Sequence, residues 1–398
     1  MSDTATPAMG LGLENPSESF DLWSDEGYAK IEEKRKESRE NEQEKRKPRT
    51  YTQVQATQLI GRSDGYLKGK NLNDEVSASG LPRYTLARIN ELRDQTGTRL
   101  KKPANVKPLV IAMAKLKGGV GNSTICVHLA HYLALQGLRV LIVDLDLQAS
   151  ASGLAAGVNP DVDFSEEETV YEILRDAPMN FGSIIRYTYF ENVFLAPCNS
   201  LMQNLERELV EQITMPRDQW PKDDNGKPIS VYNRLSEALK TVEDHFDVVL
   251  LDCPPALGTI TTNALTSADA MINTVRPNPL DRTSFAVFNS SLSSLFEAVP
   301  KPLRYYRILV NQMDRSRASE IEENTIREIY GNYVLRNNVV ESSEIKGAPS
   351  LMSTLYDLES PVKSSNANKR ALDSLNLTFD EILSDIKELW QMEAEYNG

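Results

Sequence analysis

The chain predicts an α/β fold: a mostly parallel sheet flanked by helices, preceded by an N-terminal helical arm and a small helical unit. Three observations carry this expectation. Apolar runs of strand length at 109–114, 140–143 and 248–252 are spaced by helical patterns, the layout of a parallel sheet. The first run feeds a glycine-rich turn that opens directly into a helical pattern, which makes a βαβ unit. At 398 residues the chain is also too long for one ordinary core, so two or three domains are expected.

Composition narrows the class further. With 40% hydrophobic and 25% charged residues the chain reads as soluble and cytosolic, and no stretch of about 18 uninterrupted apolar residues is present to span a bilayer. The first 19 residues lack the basic-then-apolar layout of a secretory signal. Cys126, Cys198 and Cys253 are scattered and odd in number, which excludes a disulfide framework. His128, His131 and His245 have no cysteines at zinc-ligand spacing. The net charge of −13 hides an asymmetry: residues 51–107 carry ten Lys and Arg against five Asp and Glu. Phosphate contacts need a local positive face rather than a positive total, so this segment is the candidate for nucleic-acid contact.

Taken in order, residues 1–19 carry no periodicity and read as a disordered arm. Residues 20–48 begin with an apolar patch (Phe20, Leu22, Trp23, Tyr28, Ile31) and continue with Glu32–Lys36 and Glu42–Arg46 at helical i,i+4 spacing. That segment is either a solvated helix or a dimerisation helix. Residues 49–98 form the small helical unit. Thr52 is placed to cap a first helix that Gly61 ends, and Ser63 to cap a second through Tyr66 and Leu67. A loop to Pro82 leads to a third helix bearing Leu86, Ile89 and Leu92. Helix, tight turn, helix is the helix-turn-helix layout. Residues 99–108, with Lys101, Lys102, Pro103, Lys107 and Pro108, read as a stiff basic linker, and the large domain occupies 109–398.

The turn at 117–124 is the most specific signal. In Lys117-Gly118-Gly119-Val120-Gly121-Asn122-Ser123-Thr124 the glycines let successive backbone N–H groups converge on an anion, and the helix that follows adds its dipole. Ser123 is positioned to give its hydroxyl to Mg²⁺, and Thr124 can add a contact. Asp144 and Asp146 end the second apolar run, and Asp252 ends the third. Ligands of open α/β sheets bind at the carboxyl ends of strands, so these acids can converge on the same phosphates. The late helical pattern with Phe379, Ile382, Leu383, Ile386, Leu389 and Trp390 on one face has an acidic opposite face, which opposes anionic lipid and favours a helix that closes the core. His128 and His131 are expected as packing or surface residues.

Several of these motifs resemble a known group. The turn is similar to the deviant Walker A of the ParA/MinD group of P-loop NTPases, Lys-Gly-Gly-x-Gly-Lys-Thr/Ser. Asp144-Leu145-Asp146-Leu147-Gln148 resembles that group's Asp-x-Asp-Pro-Gln. The likeness continues through Asp252-Cys253-Pro254-Pro255, Thr262-Asn263-Ala264-Leu265 and Val310-Asn311-Gln312-Met313-Asp314. Tyr51 to Ser63, with Leu81-Pro82-Arg83-Tyr84-Thr85 downstream, resembles a MerR-type winged helix-turn-helix. A helix-turn-helix before such a domain is similar to the type Ia plasmid-partition ATPases, the class of the RepA proteins of repABC replicons.

The resemblance implies ATP/ADP and Mg²⁺ as ligands, a nucleotide-sandwich homodimer and a cytoplasmic, nucleoid-associated protein off the membrane. Its implied partners are operator DNA, nonspecific DNA and a ParB-like centromere-binding protein. It implies that Lys117 reaches the partner's phosphates, that Asp146 orients the attacking water, that Asp252 holds Mg²⁺ through water, and that Asn311 contacts adenine. Arg62, Ser63, Tyr66, Lys68 and Lys70 would face DNA, with Arg83 on phosphate. Lys346, Lys363, Lys369 and Arg370 are the candidates for nonspecific DNA.

The chain departs from the pattern at three places. Asn122 stands where the group has its P-loop lysine, Lys115 where it often has Asn, and Leu147 where it has Pro. An Asn donates a neutral hydrogen bond but neutralises no charge, so binding is expected to persist while hydrolysis falls, with Lys115 as a shifted cation in partial compensation. Asn122 fits two accounts, a change introduced to trap a nucleotide-bound state or divergence toward a weak or absent ATPase. Two functions follow: a partition ATPase, or a nucleotide-binding transcriptional repressor with little turnover.

Overall fold

The structure is a computed structural model that describes residues 26, 27, 29, 30, 33 and 48–398, apart from 64, 116, 178, 179, 224 and 398. The arm expected over 1–19 lies outside the described residues. So does most of the helix expected over 20–48; of its six described positions, 26, 27, 29, 30 and 33 are helical and Pro48 is not.

The small N-terminal unit is built from two capped helices and a three-stranded antiparallel sheet. Strand β1 (Tyr51–Thr52) runs straight into α1 (Gln53–Ile60). Thr52 and Gln55 cap α1 reciprocally, and Gly61 ends it at φ +73°, a left-handed value that costs glycine nothing. Strands β2 (Glu75–Val76) and β3 (Pro82–Tyr84) precede α2 (Leu86–Thr96), whose first turn is capped by Thr85. The sheet order is β1-β3-β2.

The second helix expected from Ser63 does not form. Residues 65–69 make successive turns instead, with Tyr66 N donating to Ser63 O at 2.8 Å and Lys68 N to Gly65 O at 3.1 Å. Glycines bracket this segment, and Gly69 sits at φ +71°, so the chain cannot continue into a second helical turn.

The large domain is a seven-stranded sheet in the order β10-β9-β4-β8-β5-β7-β6. Its members are β4 (Leu109–Ala114), β5 (Val140–Asp144), β6 (Arg186–Tyr187), β7 (Val193–Ala196), β8 (Val248–Asp252), β9 (Ala270–Val275) and β10 (Tyr305–Val310). All pairings are parallel except β6 with β7, at the edge. Alternation along the central strands feeds two cores. Ile111, Met113, Val140, Ile142, Val248 and Leu250 face one side; Val110, Ala112, Leu141, Val143, Val249 and Leu251 face the other.

Helix α3 (Asn122–Leu135) covers the first face together with the long C-terminal helix α4 (Ser365–Asn397). Phe379, Ile382, Leu383, Ile386 and Trp390 of α4 are buried, as the one-sided pattern required, each contributing about 1.5–3 kcal/mol relative to exposure. Among the described residues no helix is long and apolar enough to cross a membrane. Ile60, Leu67, Ile89 and Leu92 of the N-terminal unit join that same core. The segment 99–108 lies against the large domain, with Lys107 paired to Glu243 and Asn105 Nδ2 donating to Ala394 O.

Candidate functional site

Sheet order decides what meets at the carboxyl ends of the strands. Strand β8 lies between β4 and β5, and its last residue, Asp252, pairs in register with Met113 on one side and Asp144 on the other. The chain leaves β4 through the glycine-rich turn and re-enters as α3. The start of that helix therefore stands above the same strand ends.

The turn itself is shaped by its glycines and by β10. Gly119 and Gly121 adopt φ +79° and +81°. Asn311, just past β10, donates its amide to Val120 O at 2.7 Å, and Gln312 donates to Gly119 O at 3.2 Å. A Cβ on Gly121 would come within 2.7 Å of the Asn311 amide nitrogen, so only glycine fits here. No side chain caps the N-terminus of α3, whose N-cap is Gly121, leaving first-turn N–H groups and the positive end of the dipole for an anion. Beside the turn a cavity of about 220 Å³ is lined by Gly121, Thr124, Asn311, Gln312, Ile345 and Lys346.

Asn122 points inward rather than along the turn. Its amide nitrogen donates to Met113 O and to Asp252 Oδ1, both at 2.9 Å, and its carbonyl accepts from Thr274 Oγ1 at 3.0 Å. Lys115, at the end of β4, is nearly buried and pairs with Asp146 Oδ2 at 2.8 Å. Burial works to lower the Lys115 pKa, but the charges of Asp252, Asp146 and Asp144 outweigh it and hold the ammonium above its ordinary value. Burial pushes the Asp252 carboxyl up, against the charge of Lys115. Asp144 is likewise raised by burial and by Asp252; it accepts from Ser152 N and Oγ, both at 2.7 Å, which fixes it as a bracing acid. Lys117 leans away from this cluster and pairs with Asp281 Oδ1 at 2.5 Å. Burial tends to raise the pKa of Asp281, yet Lys117, Arg276 and Asn278 together hold it below its usual range.

The residues present fit a magnesium–nucleotide ligand. Asp252 Oδ2 is buried with no hydrogen-bond partner, an orphaned acceptor aimed into the cluster. Ser123 lies within reach of that carboxylate, and the glycine cradle and uncapped helix stand beside it. The structure thus brings together Gly118 to Thr124, Lys115, Asp146 and Asp252. It keeps Lys117 apart on Asp281 and places Asn311 against the turn.

Sequence reasoning missed Thr274 and Asp281. Both left a signal: Asn273 and Thr274 are polar positions at the end of an otherwise apolar strand, and Asn278-Pro279-Leu280-Asp281 is a helix-capping run. His128 and His131 are packing residues. His128 Nδ1 meets Thr124 O at 2.7 Å and its Nε2 accepts from Leu355 N, while His131 stacks on Phe190. The cysteines are free and buried, and among the described residues no His, Cys, Asp and Glu cluster suits a metal held by protein alone.

The expected DNA residues are partly engaged. Arg62 Nη2 donates to Thr96 O at 2.7 Å, and Lys70 lies over the Tyr66 ring at 4.1 Å. Ser63 and Lys68 are exposed, and Arg83 is half-buried in β3. Toward the C-terminus, Lys363, Lys369 and Arg370 are exposed, whereas Lys346 pairs with Glu341.

Comparison with known proteins agrees with this geometry. An AAA-domain family model matches residues 109–297. A Sinorhizobium fredii protein named replication protein A is 32% identical over 365 residues, covering 86% of this chain and 87% of its own. Protein SopA of Escherichia coli is 30% identical over 321 residues, covering 78% and 79%. A solved partition protein shares the fold at a TM-score of 0.66 and 17% identity, over 94% of this chain and 98% of its own. With an α/β P-loop fold, a glycine-rich turn feeding a helix and relatives of this kind over most of its length, the chain belongs to the plasmid-partition family of ParA/MinD-type Walker ATPases.

Proposed function

We propose that the chain is a nucleotide-driven partition switch that binds ATP with Mg²⁺ as a homodimer. The observation that carries this reading is the convergence of Ser123, Asp146, Asp252 and the uncapped start of α3 at three adjacent strand ends. Gly118 to Thr124 would hold the phosphates through backbone N–H groups. Ser123, and Asp252 through water, would hold Mg²⁺, which when bound neutralises phosphate charge. Asp146 would orient the attacking water. Lys117 must leave Asp281 to reach a partner's nucleotide, so the ion pair seen here is a latch of the unpartnered chain. Asn311, which lines the cavity beside the turn, would contact the base there.

In this reading the ATP dimer binds nonspecific DNA through exposed C-terminal cations such as Lys363, Lys369 and Arg370, and engages a ParB-like centromere-binding protein. The ADP or free form binds its own operator through the unit at 49–98, read as a winged helix-turn-helix with the β2–β3 hairpin as the wing. The turns at 65–69 put Ser63, Tyr66, Lys68 and Lys70 on a short connector rather than a long recognition helix. Differential contacts to the γ-phosphate give the affinity difference a switch requires. The test is ATP and ADP binding, dimer mass and phosphate release, measured with and without DNA and the partner protein. ATP-dependent dimerisation with salt-sensitive DNA binding is expected; no ATP binding at all would overturn the reading.

A second reading, a repressor in which nucleotide is bound with little turnover, is favoured by Asn122 alone. Operator binding with no phosphate release under any condition would decide for it.

A further inference from the structure

Resting on the nucleotide reading above, we infer that Lys115 supplies, from the end of β4, the positive charge on the nucleotide's phosphates that glycine-rich turns ordinarily draw from the residue after the last glycine, here Asn122. Three acids, Asp144, Asp146 and Asp252, are buried side by side at the ends of β5 and β8. Adding a polyphosphate to such a cluster demands a cation close by. Asn122 is neutral, and its amide is committed to Met113 O and Asp252 Oδ1. Lys117 is drawn off by Asp281, an acid outside the cluster. Lys115 is the ammonium that faces the cluster itself, 2.8 Å from Asp146 and only 7% exposed.

Burying a lysine against a carboxylate does little for stability compared with an apolar pair of the same size, so its presence calls for another explanation. The position supplies one. Lys115 borders, with Lys117, Val120, Asn273 and Thr274, the narrow space beside the phosphate turn. Asn122 reaches Asp252 while Lys115 reaches Asp146, so amide and ammonium serve adjacent members of one acid cluster. An exchange of these two residue types along the chain preserves the composition of the cluster and moves its charge by one strand end.

The test is a four-member cycle in the full chain: unaltered, Lys115→Asn, Asn122→Lys and the double variant. Fluorescent ATP and ADP analogues are titrated with Mg²⁺ and again with EDTA, and thermal unfolding of each free protein is recorded. A charge-assisted contact sets the expected scale: Lys115→Asn weakens ATP binding roughly tenfold to a hundredfold, and ADP binding less. The double variant, with ammonium and amide exchanged, returns ATP affinity to within about threefold of the unaltered chain. A Lys115→Asn protein that melts cooperatively and binds ATP as well as the unaltered chain overturns the inference. So does a folded double variant no better than the single, or an equal loss for ATP and ADP, which is the mark of a purely structural counterion. If the unaltered chain binds neither nucleotide, the nucleotide reading itself falls, a result distinct from these.

Discussion

Helix α3 has two ends that are satisfied in opposite ways. Its N-terminus begins after Gly121 with no side-chain cap, beside the glycine-rich turn proposed to hold phosphate. Its C-terminus is clasped from within the chain: Arg93 Nη2 donates to Leu135 O at 2.7 Å and Arg99 Nε to Gly137 O at 3.0 Å. Both guanidinium groups come from the N-terminal unit or the strap that follows it. The dipole favours negative charge at the first end and cations at the second, and only the second is supplied by the protein itself. This asymmetry couples the two units. The helix that begins at the phosphate turn ends on the unit proposed to hold DNA, so a displacement of α3 is felt at both.

The largest expected effect lies at the open end. Asn122→Lys keeps donors toward Met113 O and Asp252 but deprives Thr274 Oγ1 of its acceptor. A lysine there can follow charge as it develops on a transferring phosphoryl group, adding to the charge inferred for Lys115, which stays beside Asp146. Phosphate release in the presence of DNA and partner protein is expected to rise on the order of 10²-fold. An unchanged rate, with ATP still bound, would mean that the open end of the helix is not where turnover is limited.

At the closed end, Arg93→Ala removes a buried guanidinium that also donates to Leu59 O and to Asn90 Oδ1. Burial holds the pKa of Arg93 down to about 10, still far above neutrality, so the group is charged. Several acceptors are then left unpaired, and a loss of about 3 kcal/mol is expected in the denaturant unfolding of the free protein. Because the contact joins the two units, the unit at 49–98 should also become more susceptible to proteolysis. A loss below about 0.5 kcal/mol would show that the clasp is incidental.

The two ends also differ in how much of them the sequence discloses. The turn, the strand ends and the acids at 146 and 252 were legible because glycine spacing, apolar runs and terminal carboxylates are local patterns. The capped helix at 53–60 was legible for the same reason, since Thr52, Gln55 and Gly61 lie within ten residues. The clasp was not. Arg93 and Arg99 count as positive charges in any composition, and the segment that carries them reads as a DNA-facing surface. Only the packing of α2 on α3 turns Arg93 into an internal donor. The pairing of Lys117 with Asp281 is hidden likewise, because 164 residues separate the partners. The helix expected from Ser63 failed for a local reason that was visible, the bracketing glycines, which helix-turn-helix spacing outweighed.

Between the two ends sits His128, whose burial lowers its pKa to about 4. In the unfolded chain an imidazole titrates near about 6.5. The folded form is therefore the poorer proton acceptor, and its stability is intact above about pH 6.5. Stability falls as pH drops, by about 1.4 kcal/mol per pH unit, until the folded pKa near 4 is reached. Unfolding curves of the unaltered chain and of His128→Gln between pH 7 and 5 check this: the variant should show the shallower slope. Parallel profiles would place the acid sensitivity of the fold elsewhere.

A weaker contact also lies at the closed end. Arg99 is about one-fifth exposed, and its guanidinium is shared between Gly137 O and Asp94 Oδ2, while Lys101 holds the other oxygen of that carboxylate, Oδ1. Its favourable interaction with the end of α3 is thus solvent-screened and partly redundant, unlike that of Arg93. Arg99→Gln should cost about 0.5 kcal/mol, within the range of a partly exposed cation at a helix C-terminus, and the cost should shrink in high salt. A penalty as large as that of Arg93→Ala would mean that the strap, rather than α2, bears the connection between the two units. If the cost instead persists unchanged in high salt, the Arg99 contribution is hydrogen bonding and packing, and the dipole argument holds only at the phosphate end.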